Sequence, residues 1–286
     1  MDPVELAART TQLHAERTPY VLGTVVRAQR PTSAKPGDRA LITPDGTIEG
    51  FVGGTCAEST VRAQSLRLMS SGESTLLRIT ATAESGADGL TVVENPCLSG
   101  GTLEIFLEAV VPAPLVQVLG DAPIAQALMT VGAAAGYHMV AGVDPLAPGA
   151  SGLVVASHGR GEDAALRAAL DAGVPYIALV ASHKRGAAVL DAMSLDDSER
   201  ARVHTPAGLD IGARTPLHVA VSILAELISL SEARPPAVEV AIDPVCGMEV
   251  AVAPTSLSLE HAGRMWYFCA PGCRRAFSAE PQRYGG

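Results

Sequence analysis

Apolar residues recur along this chain in two different rhythms. Up to Val111 the pattern is mixed. Tyr20 to Ala28 is a β-branched apolar run, and Leu76 to Thr80 and Leu103 to Leu107 are shorter ones, so each reads as a strand. Ala40 to Thr43 and Thr47 to Val52 flank Pro44-Asp45-Gly46, a hairpin turn signal. Ala57 to Met69 reads as a helix. A first helix is expected at the start, with Asp2 as its cap, Pro3 in the first turn and Glu5 three residues after the cap. From Val116 onward the rhythm alternates. Apolar runs at 116–119, 140–143, 153–156 and 176–180 are separated by helical segments, one marked by Ile124, Leu128 and Val131 and one at 164–170. Leu217, Val221, Leu224 and Ile228 mark a last helix. Alternating strands and helices predict a doubly wound parallel sheet.

Two proline-containing stretches, Val110-Val111-Pro112-Ala113-Pro114 and Glu232-Ala233-Arg234-Pro235-Pro236-Ala237, interrupt both rhythms. They divide the chain into an N-terminal α+β domain (1–111), a Rossmann-like domain (112–232), a stiff connector (233–240) and a small cysteine-containing module (241–286). No internal repeat is visible.

Composition removes several functional classes. Of 286 residues only 3% are aromatic and the formal net charge is −9, so rings for stacking bases and a basic footprint for a phosphate backbone are both missing. Hydrophobic residues make up 48%, too many for a disordered chain. No apolar run is long enough to span a bilayer, and the first residues lack the basic and apolar regions of a signal peptide. The five scattered cysteines do not form a disulfide framework, which points to a reducing cytoplasm with thiols free for metal or chemistry.

Three places carry candidate chemistry. Gly53-Gly54-Thr55-Cys56-Ala57-Glu58 leads from a strand into a helix. Paired glycines let backbone amides converge, and a helix N-terminus adds partial positive charge. Both favour an anion and make Cys56 a candidate nucleophile or soft ligand, with Glu58 as base or helix cap; a small buried cysteine in a tight turn is the structural alternative. Asn95-Pro96-Cys97-Leu98-Ser99-Gly100-Gly101 repeats the theme, and the two turns are expected to meet around one site. In the alternating region, Gly120-Asp121-Ala122-Pro123-Ile124-Ala125 stands where a dinucleotide fingerprint would, with Ala122 in place of its second glycine. Asp144, at the end of the next strand, is the candidate for a ribose hydroxyl. His158 follows the third strand, at the end where open α/β sheets bind ligands. Finally, Cys269-Ala270-Pro271-Gly272-Cys273 and the distant Cys246 offer three thiols, suited to Zn(II) or Cu(I). His261 is the expected fourth ligand and Met248 a soft alternative. A module this small gains from a metal, because burial alone barely stabilises it.

The runs RPTSAKPGDRALITPDGTIEGFVGGTCAES, NPCLSGGTLEIFLE, LVQVLGDAPIAQAL and GLDIGARTPLHVAVSILAEL, in this order, resemble the XdhC/CoxI family over about residues 2 to 230. DPVCGM, HAGRMWYFCAPGCRRAF and EPQRY resemble a YHS domain. The first resemblance implies an accessory factor for molybdenum hydroxylases such as xanthine or carbon monoxide dehydrogenase. Such a factor binds molybdenum cofactor (molybdopterin, in mononucleotide-free or dinucleotide form), assists its sulfuration and inserts it into the apo-enzyme. Implied partners are that apo-enzyme and a cysteine desulfurase, and homodimerisation is left open. Gly53, Gly54, Cys56 and Glu58 fall on the family's first glycine–cysteine turn, and Cys97, Gly100 and Gly101 on its second. Thr55 and Ala122 stand where many members have glycine. The cofactor would be held by Gly53, Gly54, Cys56, Cys97, Gly100 and Gly101, with Gly120, Asp144 and His158 contributing from the Rossmann side. A cofactor chaperone rather than an enzyme is the leading reading; a nucleotide-dependent oxidoreductase and a metal-trafficking or sensing protein are the alternatives.

Overall fold

A computed structural model describes residues 2–82, 84–95, 101–142, 145–231 and 238–285. Cys97, Gly100, Asp144 and most of the expected connector lie outside them. The chain forms two compact units, one from residues 1–112 together with 235–286, the other from residues 113–234.

The first unit opens with α1 (Pro3–Ala15), where Asp2 Oδ1 accepts from the backbone amides of Val4 and Glu5. Then come β1 (Tyr20–Gln29), β2 (Arg39–Ile42), β3 (Ile48–Gly50), α2 (Thr55–Ser71), β4 (Thr75–Thr80), β5 (Leu90–Glu94) and β6 (Thr102–Val110). The sheet order is β3-β2-β1-β6-β4-β5, with only β4 and β5 parallel. β5 escaped the sequence reading because it is an edge strand with no fully buried face. One sheet face carries Val21, Val25, Ile42, Leu77, Ile79, Ile105 and Leu107, and α2 covers it with Ala57 and Val61. Each large side chain buried there contributes about 1.5–3 kcal/mol. The helix starts two residues before the expected Ala57, so Cys56 sits inside its first turn.

The second unit contains β7 (Leu115–Leu119), α3 (Pro123–Ala134), β8 (His138–Ala141), β9 (Gly152–Val155), α4 (Glu162–Asp171), β10 (Tyr176–Leu179), α5 (His183–Ala192), α6 (Asp197–Ala201), β11 (Val203–His204) and α7 (Pro216–Ser231). Its sheet is parallel throughout, in the order β11-β10-β9-β7-β8. The expected doubly wound α/β architecture is therefore present. The winding reverses between β7 and β9, which places a crevice beyond their C-terminal ends.

The C-terminal segment returns to the first unit as β12 (Val240–Ile242), β13 (Glu249–Ala251), β14 (Leu257–His261), β15 (Arg264–Phe268) and α8 (Pro271–Ala279). Two antiparallel hairpins and one helix close around Met248, Val250, Phe268, Cys269, Cys273 and Phe277. The module is not a free appendage. Cys56 of α2 packs against its core, Arg67 pairs with Glu249 at 2.6 Å, and Thr255 Oγ1 donates to the Asp45 carbonyl at 3.0 Å.

Candidate cofactor and metal sites

The strongest concentration of chemistry is in the C-terminal module. Asp243, Cys246, Cys269 and Cys273 bring four donor atoms within 4.8 Å of one another. The Cys246 and Cys269 sulfurs are 3.5 Å apart, and those of Cys269 and Cys273 are 3.8 Å apart. A tetrahedral site with metal–sulfur bonds of about 2.3 Å has ligand–ligand edges of about 3.8 Å, so the thiols already have metal-ligand spacing. Local structure explains the arrangement. The turn after β12 carries Asp243 and Cys246, Cys269 directly follows β15, and Cys273 lies in the first turn of α8.

Asp243 is the residue the sequence reading missed. It is fully buried, and its carboxylate accepts from the amides of Val245 (2.9 Å) and Cys269 (2.8 Å). No cationic side chain pairs with it among the described residues. A buried carboxylate beside three thiols is a costly arrangement unless a cation joins it. Thus the residues present fit an ion. His261 is not the fourth member of the group. It ends β14 at the tip of a hairpin, with its ring edge-on to Phe277 at 5.8 Å. Met248 is buried in the module core.

Proton affinities in the cluster are split by mutual hydrogen bonding. Cys246 is lowered to about 6, chiefly because Cys269 hydrogen-bonds to it. Cys269 is raised by the same bond, then by burial. Cys273 is raised by burial first, then by the charges of Asp243 and Cys246. One thiol ionises readily, and the other two lose their protons when a cation compensates them.

The Cys56 turn borders a cavity of about 520 Å³ lined by Pro31, Thr32, Ser33, Gly54, Thr55, Cys56, Ala57, Leu103, Ala270, Pro271, Gly272 and Arg275. That volume is ordinary for a small-molecule site, for which about 300–1,000 Å³ is usual. Gly53 has φ 142°, and a Cβ there would come within 2.9 Å of the Ala57 Cβ, so glycine is required. Gly54 is the helix cap and faces open space, and it has no side chain to cap the first amides of α2. Glu58 sits half-buried in the first turn of α2, outside the cavity lining.

The residues on either side of the second glycine turn lie at the same place. Before it, Asn95 Nδ2 donates to the Cys56 carbonyl at 3.1 Å and to Thr60 Oγ1 at 3.3 Å. After it, Gly101 lies so close to residues 29–31 that a Cβ would overlap the Gln29 and Pro31 carbonyls, and Leu103 joins the lining. Cys97 and Gly100, between those flanks, are not among the described residues.

In the second unit a cavity of about 450 Å³ is bordered by Ile124, His158, Ser182, Arg185 and Pro206, among others. His158 has φ 53°, an uncommon conformation for a non-glycine residue, and is exposed. Gly120 is outside that lining. With φ 128°, a Cβ there would overlap the Ala156 carbonyl, which accounts for glycine at this position. Asp144 is outside the described residues. Behind His158, the buried Glu162 accepts from the Gly159 amide at 2.7 Å and pairs with Arg185. Burial raises the Glu162 carboxyl, but its bonds to Arg185 and Gly159 outweigh that and leave it below its usual range.

Family models match three stretches of the chain: XdhC and CoxI family at 13–80, XdhC Rossmann domain at 116–227, and YHS domain at 241–286. Escherichia coli (strain K12) YqeB, an uncharacterised protein, is 21% identical over 262 residues, covering 81% of this chain and 47% of YqeB. The chain therefore spans about half the length of that curated relative. A copper-transporting P-type ATPase of Rhizobium leguminosarum bv. viciae is 45% identical over 42 residues, 15% of this chain and 5% of the ATPase. A solved structure described as a xanthine dehydrogenase from Bacillus halodurans covers 83% of this chain and 98% of its own, at 17% identity and a TM-score of 0.40, a likeness too weak to bear on fold or function. Among the described residues no helix is long and apolar enough to cross a membrane.

Proposed function

Because this chain belongs to the XdhC and CoxI family and ends in a YHS domain, we propose that it is a maturation factor for a molybdenum hydroxylase of the xanthine or carbon monoxide dehydrogenase type. In this reading it binds molybdenum cofactor, protects it during sulfuration and passes it to the apo-enzyme. The observation that carries the reading is the cavity at the Cys56 turn, where a thiol, an uncapped helix N-terminus and Arg275 border one space of suitable volume. When bound, the cofactor supplies an anionic phosphate and a metal–sulfur centre that needs shelter from water. The phosphate would be held by the amides of Gly54, Thr55 and Cys56 and by Arg275. Cys56 would be the soft ligand or sulfur-handling group. Cys97, Gly100 and Gly101 would help hold the cofactor, and Glu58 would tune the first turn of α2. Gly120, Asp144 and His158 remain proposed ligand contacts of the second unit by itself.

We further propose that the C-terminal cluster holds Zn(II) or Cu(I). Its three thiols suit either ion, and the Asp243 carboxylate favours zinc, the harder of the two. The match to a copper-transporting ATPase supports a soft metal at this module. The proposed partners are the apo-hydroxylase and a cysteine desulfurase, and the proposed compartment is the cytoplasm.

The test is direct. The full-length protein, purified from cells that make the cofactor, should carry a pterin that fluoresces after oxidation, and C56S should lose most of it. Pterin-free wild-type protein, or C56S with an undiminished load, would overturn the proposal.

A further inference from the structure

The residues that line the Cys56 cavity and those that form the metal cluster share one short segment. Cys269 and Cys273 are cluster members, and Ala270, Pro271 and Gly272 between them line the cavity. Cys273 lies in the first turn of α8, and Arg275, two residues further along that helix, reaches the same cavity. No carboxylate pairs with Arg275 among the described residues, which leaves its charge available to the cavity. From the other side, Cys56 packs against the module core. The cavity is therefore bounded by α2 and residues 31–33 on one side and by the metal-ligand loop on the other.

This arrangement couples the two places mechanically. Without an ion, the cluster holds a buried carboxylate beside three sulfurs with no cation to offset it among the described residues. An ion supplies that cation and bonds to both ends of the segment 269–273. Whatever holds Cys269 and Cys273 also holds Ala270, Pro271 and Gly272, because only three residues intervene.

We propose that the Cys56 cavity and the four-ligand cluster form one composite site, in which an ion in the cluster fixes the wall that carries Arg275 and thereby governs how an anionic ligand reaches the Cys56 thiol. This deepens the cofactor reading of Cys56 by assigning the C-terminal module a part in that site. The ligand class is a phosphate- or carboxylate-bearing molecule small enough for about 520 Å³. Ion and anion would bind with positive coupling, each raising the affinity for the other by the same factor.

Peptide-resolved alkylation of Cys56 in the full-length protein tests this without any cofactor. Iodoacetate is an anion and iodoacetamide its neutral counterpart, so the ratio of their rates at Cys56 reports the local positive charge independently of thiol reactivity. In zinc-loaded protein the ratio should fall about threefold in R275Q, as removal of one exposed charge implies. Stripping the zinc with a chelator should lower the ratio in wild type and leave R275Q unchanged. An unaltered ratio in R275Q overturns the role of Arg275. A wild-type ratio that ignores the chelator, or a protein that takes up no zinc, overturns the coupling. R275Q is exposed and removes no core contact, so misfolding does not obscure the result. The pterin content of C56S decides the cofactor reading separately, so a pterin-free protein with a zinc-dependent ratio would refute that reading and keep this one.

Discussion

The cavity in the second unit and the cluster and cavity in the first handle charge in opposite ways. Around His158 the charged groups satisfy one another. Glu162 is paired with Arg185 and capped by the Gly159 amide, and the exposed Arg160 pairs with Asp121 at 2.5 Å. Nearby, Glu226 accepts from Tyr176 (2.6 Å) and from the Gly208 amide (2.9 Å). In the first unit, Asp243 is buried without a cation and Arg275 faces a cavity without an anion, among the described residues. Internally compensated charges organise loops. Uncompensated ones, which cost free energy in the empty protein, mark where a ligand supplies the missing partner.

The largest effect that would sharpen this contrast concerns metal. The full-length protein should bind one zinc ion, and C269S/C273S should bind none. Because Cys269 and Cys273 hold their protons more tightly than ordinary thiols, binding should release about two protons near neutral pH, and affinity should then rise about a hundredfold per pH unit. Titration calorimetry in buffers of different ionisation enthalpy measures the proton count; a count of zero would show that these thiols are not the ligands. Asp243→Asn should keep the backbone bonds partly intact yet weaken zinc about 10–100-fold, the scale seen when a group supporting a metal site is altered.

Breaking the compensated side should do something different. Glu162→Gln should destabilise the second unit by about 1–3 kcal/mol, since a hydrogen-bonded buried carboxylate is lost and Arg185 is left unpaired. Zinc uptake should be unaffected, which denaturation monitored alongside metal content would show. The folded-state carboxyl is held low, so its stabilisation is present at neutral pH and is lost as pH falls through and below the normal carboxylate range. Loss of stability on raising the pH instead would contradict the pairing.

The smallest effect separates two adjacent glycines. Gly53→Ala places a methyl against Ala57 at positive φ and should cost about 1–3 kcal/mol. Gly54→Ala meets open space and should change thermal stability by no more than about 1 kcal/mol. Equal costs would mean that the turn geometry is not what demands glycine.

Much of the fold was legible because its signals are local. The Asp2-Pro3 helix start, the hairpin at Pro44-Asp45-Gly46 and the alternating runs of the second unit each declare themselves within a few residues. Of the site, Cys56 and the three C-terminal thiols could be picked out by type and spacing. Asp243 could not, because Asp-Pro at a segment start reads as an ordinary turn. Two hairpins are needed to carry it beside Cys269. Arg275 was equally hidden, one of two arginines on a short helix until the module packs on α2.

The chain alone therefore decided which stretches become helix or strand where burial is one-sided and periodic, unlike edge strand β5, and also where glycine is needed and which sulfurs are available. Backbone periodicity and turn chemistry depend only on neighbouring residues. The tertiary structure decided which carboxylate joins the sulfurs, and that a loop near the C-terminus forms a wall beside Cys56. The first depends on how two hairpins fold together, and the second joins residues more than two hundred positions apart, brought together by burial of the module core against α2, which no local pattern encodes.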